Sequence, residues 1–175
     1  DDTCGVGNTG IYDYIAGPGT PPLGIGSARF RIGADGDSIG GWRNSDFHGV
    51  PLSSLAALSY STYVTQPSDS NSGQAPYMTL ALDADGEGEF TPGASGSNDT
   101  TLFFEPVYQT GTYGGDTVPS QGNGAPQPVG LNEWQTWDAL AGGWWSNTGG
   151  PPLITLASFV TANPDATIVA AGEGL

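Results

Sequence analysis

Apolar residues recur at every second position in several short runs of this chain, and turn-forming residues separate the runs. In "SARFRI", Ala28, Phe30 and Ile32 fall on one side and Arg29 and Arg31 on the other. Successive side chains of a strand point to opposite faces, so this alternation predicts a half-buried β-strand. "LSYSTYVT" repeats the pattern with Leu58, Tyr60, Thr62 and Val64, and "PYMTLALD" with Met78, Leu80 and Leu82. "TLFFEPVY" (101–108) is apolar on both faces. Its Pro106 predicts a bulge or an edge position, because a proline nitrogen cannot donate to a sheet. "NEWQTWDAL" and "GGWWSN" predict two short strands around a glycine turn.

Other segments leave this period. "PLSSLAAL" (51–58) predicts a helical turn with Ser53 or Ser54 available as its cap. "PLITLASFVTANPDA" gathers Leu153, Leu156, Phe159 and Val160 on one side and is stopped by Asn163-Pro164, which predicts an amphipathic helix. "TIVAAGEGL" opens a last strand. Short strands separated by turns, with one helix, predict a mainly β fold. The expected form is an antiparallel β-sandwich of jelly-roll type, with a short amphipathic helix near the C-terminus. Residues 1–26 read as an extended Gly/Pro-rich leader and residues 27–175 as a single domain.

Composition adds constraints. The 29 glycines and 14 prolines are about a quarter of the 175 residues, which fits many turns, while 10% aromatic content argues against disorder. There is no lysine, and Arg29, Arg31 and Arg43 face eighteen acids, for a net charge of -15. Such a surface repels phosphates and anionic lipid, so no nucleic acid is expected as a partner and no membrane insertion. No apolar run approaches the roughly 18 residues that cross a bilayer. Because only 12% of residues are charged, the surface is polar but mostly uncharged, which suits a secreted, extracellular or cell-surface protein. Cys4 is the single cysteine. It reads either as a spare thiol or as an intermolecular disulfide.

Candidate chemistry centres on "ALDADGEGEF", where Asp83, Asp85, Glu87 and Glu89 alternate with small residues. Calcium takes six to eight oxygen ligands, and Gly86 and Gly88 allow a tight wrap. The "D-x-D-G-x-G" spacing is like the first half of an EF-hand loop, but Ala94 stands where the closing glutamate belongs. Asp35 and Asp37 in "GADGDS" form a second acidic turn. Two readings stand, a calcium site and a solvated acidic turn. His48 and Cys4 are the only soft ligands, too few for a transition-metal site. The lone His48, in "DFHGV", lacks a nucleophile-elbow context, and without lysine no Schiff base can form.

The five tryptophans, Trp42, Trp134, Trp137, Trp144 and Trp145, offer either core mass or a surface for a glycan or protein partner. Alternation puts Trp134 and Trp137 on opposite faces. "NDT" (98–100) makes Asn98 an N-glycosylation acceptor if the host glycosylates.

Taken in order, "GTPPLGIGSARFRIG", "LSSLAALSYSTYV", "APYMTLALDADGEGE", "TLFFEPVYQ", "LNEWQTWDALAGGWWS" and "LASFVTANPDATIV" resemble a family of secreted bacterial proteins similar to concanavalin/laminin-G-like β-sandwiches. The resemblance spans roughly residues 17–170. It implies the fold and an extracellular setting, and assigns no activity. Glycosidases of such folds use a pair of carboxylates, and Glu105, Glu133 and Asp138 are candidates because each lies in or beside an aromatic strand. The E-x-D-x-x-E motif of a glucanase group of that fold is absent, so no enzyme is expected. The resemblance also implies a further closing strand after "TIVAAGEGL". An unpaired sheet edge is therefore expected there, to which a neighbour's Ile11, Tyr12, Tyr14 and Ile15 would donate a strand. The expected function is a non-enzymatic structural subunit that self-associates into a filament or surface assembly. A carbohydrate-binding module with polysaccharide as partner is the alternative.

Overall fold

Each alternating run becomes a strand in the computed structural model, which describes residues 11–31, 41–65, 74–110, 127–146 and 152–170. Cys4, Asp35 and Asp37 lie outside the described residues, as do the end of "TIVAAGEGL" and most of the 109–130 loop. The chain is mainly β, with antiparallel sheets and one helix.

The largest sheet has five strands. β4 (Met78–Asp83) and β5 (Thr100–Phe104) lie at its centre, in the register Met78↔Phe104 to Leu82↔Thr100. β7 (Gly143–Ser146) flanks β5, β8 (Ile154–Thr155) flanks β7, and β9 (Thr167–Ile168) flanks β4. A second sheet pairs β3 (Ser59–Tyr63) with β6 (Trp134–Asp138). The two predicted strands around the glycine turn therefore exist, but they join different sheets.

Alternation explains the core. Leu82, Leu102, Phe104 and Trp144 are fully buried and cluster with Trp137 of the second sheet's β6 and Ala139 just after it, and with Leu52 and Leu156. The rings of Phe104 and Trp144 lie 5.4 Å apart, and Tyr60 meets Phe104 edge-on at 5.9 Å. A buried indole needs a partner for its N–H. Trp137 donates to Thr62 Oγ1 at 2.8 Å and Trp144 to the Ala139 carbonyl at 2.8 Å. Buried Gln109 is likewise satisfied: its amide donates to the carbonyls of Glu105 and Gly143 and accepts from the Gly143 N–H.

Three expectations need correction. β5 ends at Phe104, and Pro106–Thr110 is a 3-10 turn, because Pro106 halts sheet pairing outright rather than bulging it. The helix α1 spans only Leu156–Ala162. Leu153 precedes it and Ile154 pairs with Trp144, while the extended Thr155 caps α1 by accepting from the Ser158 N–H at 3.0 Å. The helical turn at Leu52–Ser54 has no side-chain cap, and Ser54 Oγ donates to the Pro51 carbonyl instead.

The edge beside β9 is occupied from within the chain. The Gly49 N–H donates to the Ile168 carbonyl at 2.7 Å, Ile168 to Val50 at 2.9 Å, and Leu52 to Ala166 at 2.9 Å. Segment 49–52 thus covers the outer row of backbone groups beside Ala166–Ile168.

β1 (Ile11–Ala16) and β2 (Gly26–Arg31) form a separate two-stranded antiparallel hairpin, from Ile11↔Arg31 to Ala16↔Gly26. The segment read as a leader therefore has its partner strand in its own chain. Trp42 packs against this hairpin, with Tyr14 at 4.9 Å and Phe30 at 6.2 Å between ring centroids. Opposite that face Arg29 and Asp13 form a two-pronged ion pair. The Arg29 hydrogen bond holds the exposed Asp13 carboxyl below its ordinary range.

Candidate functional site

The β4–β5 register decides what the acidic stretch becomes. With Leu82 opposite Thr100, the next residues outward, Asp83 and Asp99, stand at the mouth of the connecting loop. Both are buried, at 0% and 6% exposure. Buried carboxylates need donors, and here the loop's own backbone supplies them. Asp83 accepts from Gly86 N and Gly88 N, both at 2.7 Å. Asp99 accepts from Ala84 N at 3.0 Å and from Thr91 N at 2.6 Å. Two charges thus fix residues 84–91 through charge-assisted bonds, which are about twice as strong as neutral ones. Gly86 and Gly88 adopt φ of +75° and +89°, the left-handed region that glycine reaches without strain.

Asp83, Asp85 and Asp99 each bring one carboxylate oxygen within 4.8 Å of the others. This trio has the donor chemistry for a hard cation. Asp99, sixteen positions beyond Asp83, is the member that sequence reasoning missed. Its signal was its place just ahead of the strand opposite "MTLALD". Glu87 and Glu89 are exposed and stand outside the trio. Repulsion from Asp85 leads the causes that raise the Glu87 carboxyl, followed by slight desolvation and the charges of Glu89, Asp99 and Asp83. Asn98 is exposed on the same loop.

The tryptophans divide. Trp137 and Trp144 have no exposure, so the glycan-or-partner reading fails for these two, which are core. Trp134 is half-buried, donates to the Pro18 carbonyl at 2.8 Å and meets Tyr63 at 5.5 Å, tying the hairpin loop to β6. Trp145 lies on the outer face of the five-stranded sheet, stacked on Phe103 at 4.2 Å with planes 11° apart, and Tyr77 continues the row. The indole nitrogen of Trp145 is buried without a partner in normal hydrogen-bond geometry, and it favours the charged form of the Glu105 carboxyl. Burial pushes the Glu105 carboxyl up, and that indole opposes the shift. Burial, then the Glu105 charge, pushes the Tyr60 hydroxyl far above its ordinary range. Asp138 accepts from the Ala141 N–H in the turn after β6, and Glu133 is exposed ahead of it.

His48 lines a cleft of about 520 Å³ together with Glu89, Phe90, Thr91 and Val169. Its Nδ1 accepts from the Ala170 N–H at 3.2 Å. The hairpin exposes Tyr14 (68%), Leu23 (87%) and Ile25 (90%). Among the described residues, no helix is long and apolar enough to cross a membrane. Comparisons with protein-family models, with curated proteins and with solved structures each returned no match.

Proposed function

We propose that this chain is a non-enzymatic, extracellular structural protein that self-associates into a filament or surface assembly through the β1–β2 hairpin. The observation that carries the reading is this hairpin. Among the described residues its two strands have only each other as sheet neighbours, and it holds out Tyr14, Leu23 and Ile25. A lone two-stranded hairpin is marginally stable in water, and its outer edges can pair with further strands. A second copy offers the same exposed hairpin edge and apolar residues, so two hairpins can pair with each other. Because Ile11–Ala16 already pairs with β2 of its own chain, the proposed mode is strand addition at the hairpin edge rather than donation of residues 11–15.

The two main sheets, with their shared core, are consistent with a jelly-roll or concanavalin-like sandwich, and with the resemblance to secreted bacterial proteins of that kind. Calcium at Asp83, Asp85 and Asp99 would neutralise part of the acidic loop and stiffen it. Negative-stain microscopy of the native protein tests the assembly. Regular polymers that disappear in the Leu23→Ser/Ile25→Ser variant are expected, and dispersed monomers in the native protein would refute it. Carbohydrate binding is the second reading, favoured by the Tyr77–Phe103–Trp145 row on the sheet's outer face.

A further inference from the structure

We infer that the cleft between His48 and the Glu89–Thr91 segment is a binding site for a neutral sugar ring. The inference stands apart from self-association and does not use the tryptophans. Its volume of about 520 Å³ suits one or two pyranose units.

Both walls are held in place before any ligand arrives. Gly88 N is bonded to buried Asp83 at 2.7 Å and Thr91 N to buried Asp99 at 2.6 Å, so the two carboxylates clamp the ends of the segment that carries Glu89 and Phe90. Across the cleft, Gly49 and Val50 are hydrogen-bonded to Ile168, and His48 Nδ1 to Ala170. Rigid walls lower the ordering cost of binding.

The chemistry of the lining selects the ligand. With Nδ1 accepting, the neutral imidazole carries its proton on Nε2 and offers a donor. Glu89 offers an acceptor pair that two vicinal hydroxyls satisfy together. Phe90 and Val169 supply apolar surface for the C–H face of a ring. Glu89 and the neighbouring Asp85 and Glu87 repel an anion, and a donor, an acceptor pair and apolar surface together are the set a neutral polyol uses; a cation, which the same carboxylates attract, is the competing ligand that the titration includes.

Titration of the full chain with methyl α-mannopyranoside, methyl β-glucopyranoside and methyl β-galactopyranoside, followed by amide NMR, tests this. At least one should give saturable shifts at Gly88, Phe90, Thr91 and Ala170, with affinity on the order of millimolar for so small a ligand. Glu89 is exposed, so Glu89→Gln should fold normally and weaken binding roughly tenfold. His48→Phe should weaken it similarly while the spectrum elsewhere stays unchanged. No saturable shift with any of the three glycosides overturns the inference. So do shifts confined to Tyr77, Phe103 and Trp145, or tighter binding of agmatine than of the glycosides.

Discussion

Asp83 does its work by accepting bonds inside the protein, although it is acidic and sits in an acidic run. Replacing it with alanine strands the Gly86 and Gly88 N–H groups next to a buried void, so unfolding in urea should show a loss of about 2–4 kcal/mol. Exposed Asp85→Ala should change stability by no more than about 0.5 kcal/mol. Gly86 offers a complementary test. A Cβ there would lie 3.0 Å from the Asp165 carbonyl oxygen, at a φ that side chains resist. Gly86→Ala should therefore cost more than Gly93→Ala, where φ is +82° but the space is open. Equal midpoint shifts for the two variants would contradict that packing. Glu105 gives a pH signature. Its carboxyl is raised above 4.5 by burial, so the folded state holds that proton more tightly than the unfolded state does. Its contribution to stability is full below about pH 4.5 and is lost as pH rises through the folded-state value. The wild type should thus lose stability relative to Glu105→Gln across that rise, measured as the difference between the two unfolding curves.

At the scale of elements, period-2 alternation was legible wherever one face met the core. Leu58, Tyr60, Thr62 and Val64 are all buried or half-buried, and the Leu82 and Leu102 faces meet as alternation requires. Boundaries were less legible, because local pattern cannot show which neighbour a residue will find. Leu153 fits the helical stripe, yet the backbone before α1 is claimed by β7. The covered edge at β9 depends on segment 49–52, more than a hundred residues away in sequence, and no local signal announces it. The hairpin is the converse case. Its alternation was plain in "SARFRI", but its partner lay in a segment whose glycines and prolines suggested a leader. Thr155 is a local device with a local test. Thr155→Ala removes the helix cap, and thermal unfolding should report a loss of about 1 kcal/mol.

Over the whole molecule, the acidic site was half legible. The run Asp83–Glu89 drew notice through its charge, but only the β4–β5 pairing brings Asp99 to Asp83 and turns the outer glutamates to solvent. A calcium ion on the trio would raise the melting temperature, and a chelator would reverse the gain; an unchanged melting temperature would leave the trio as a scaffold for the loop alone. Net charge bears on assembly as well. With a net charge of -15 on each copy, association should strengthen as salt screens the repulsion between copies. Self-association through the hairpin is tested most directly by sedimentation velocity of the full chain over a concentration series. The wild type should form species that grow with concentration, while a folded Tyr14→Ser/Ile25→Ser variant stays monomeric. A wild type that sediments as a folded monomer throughout, or a variant that associates equally well, would contradict it.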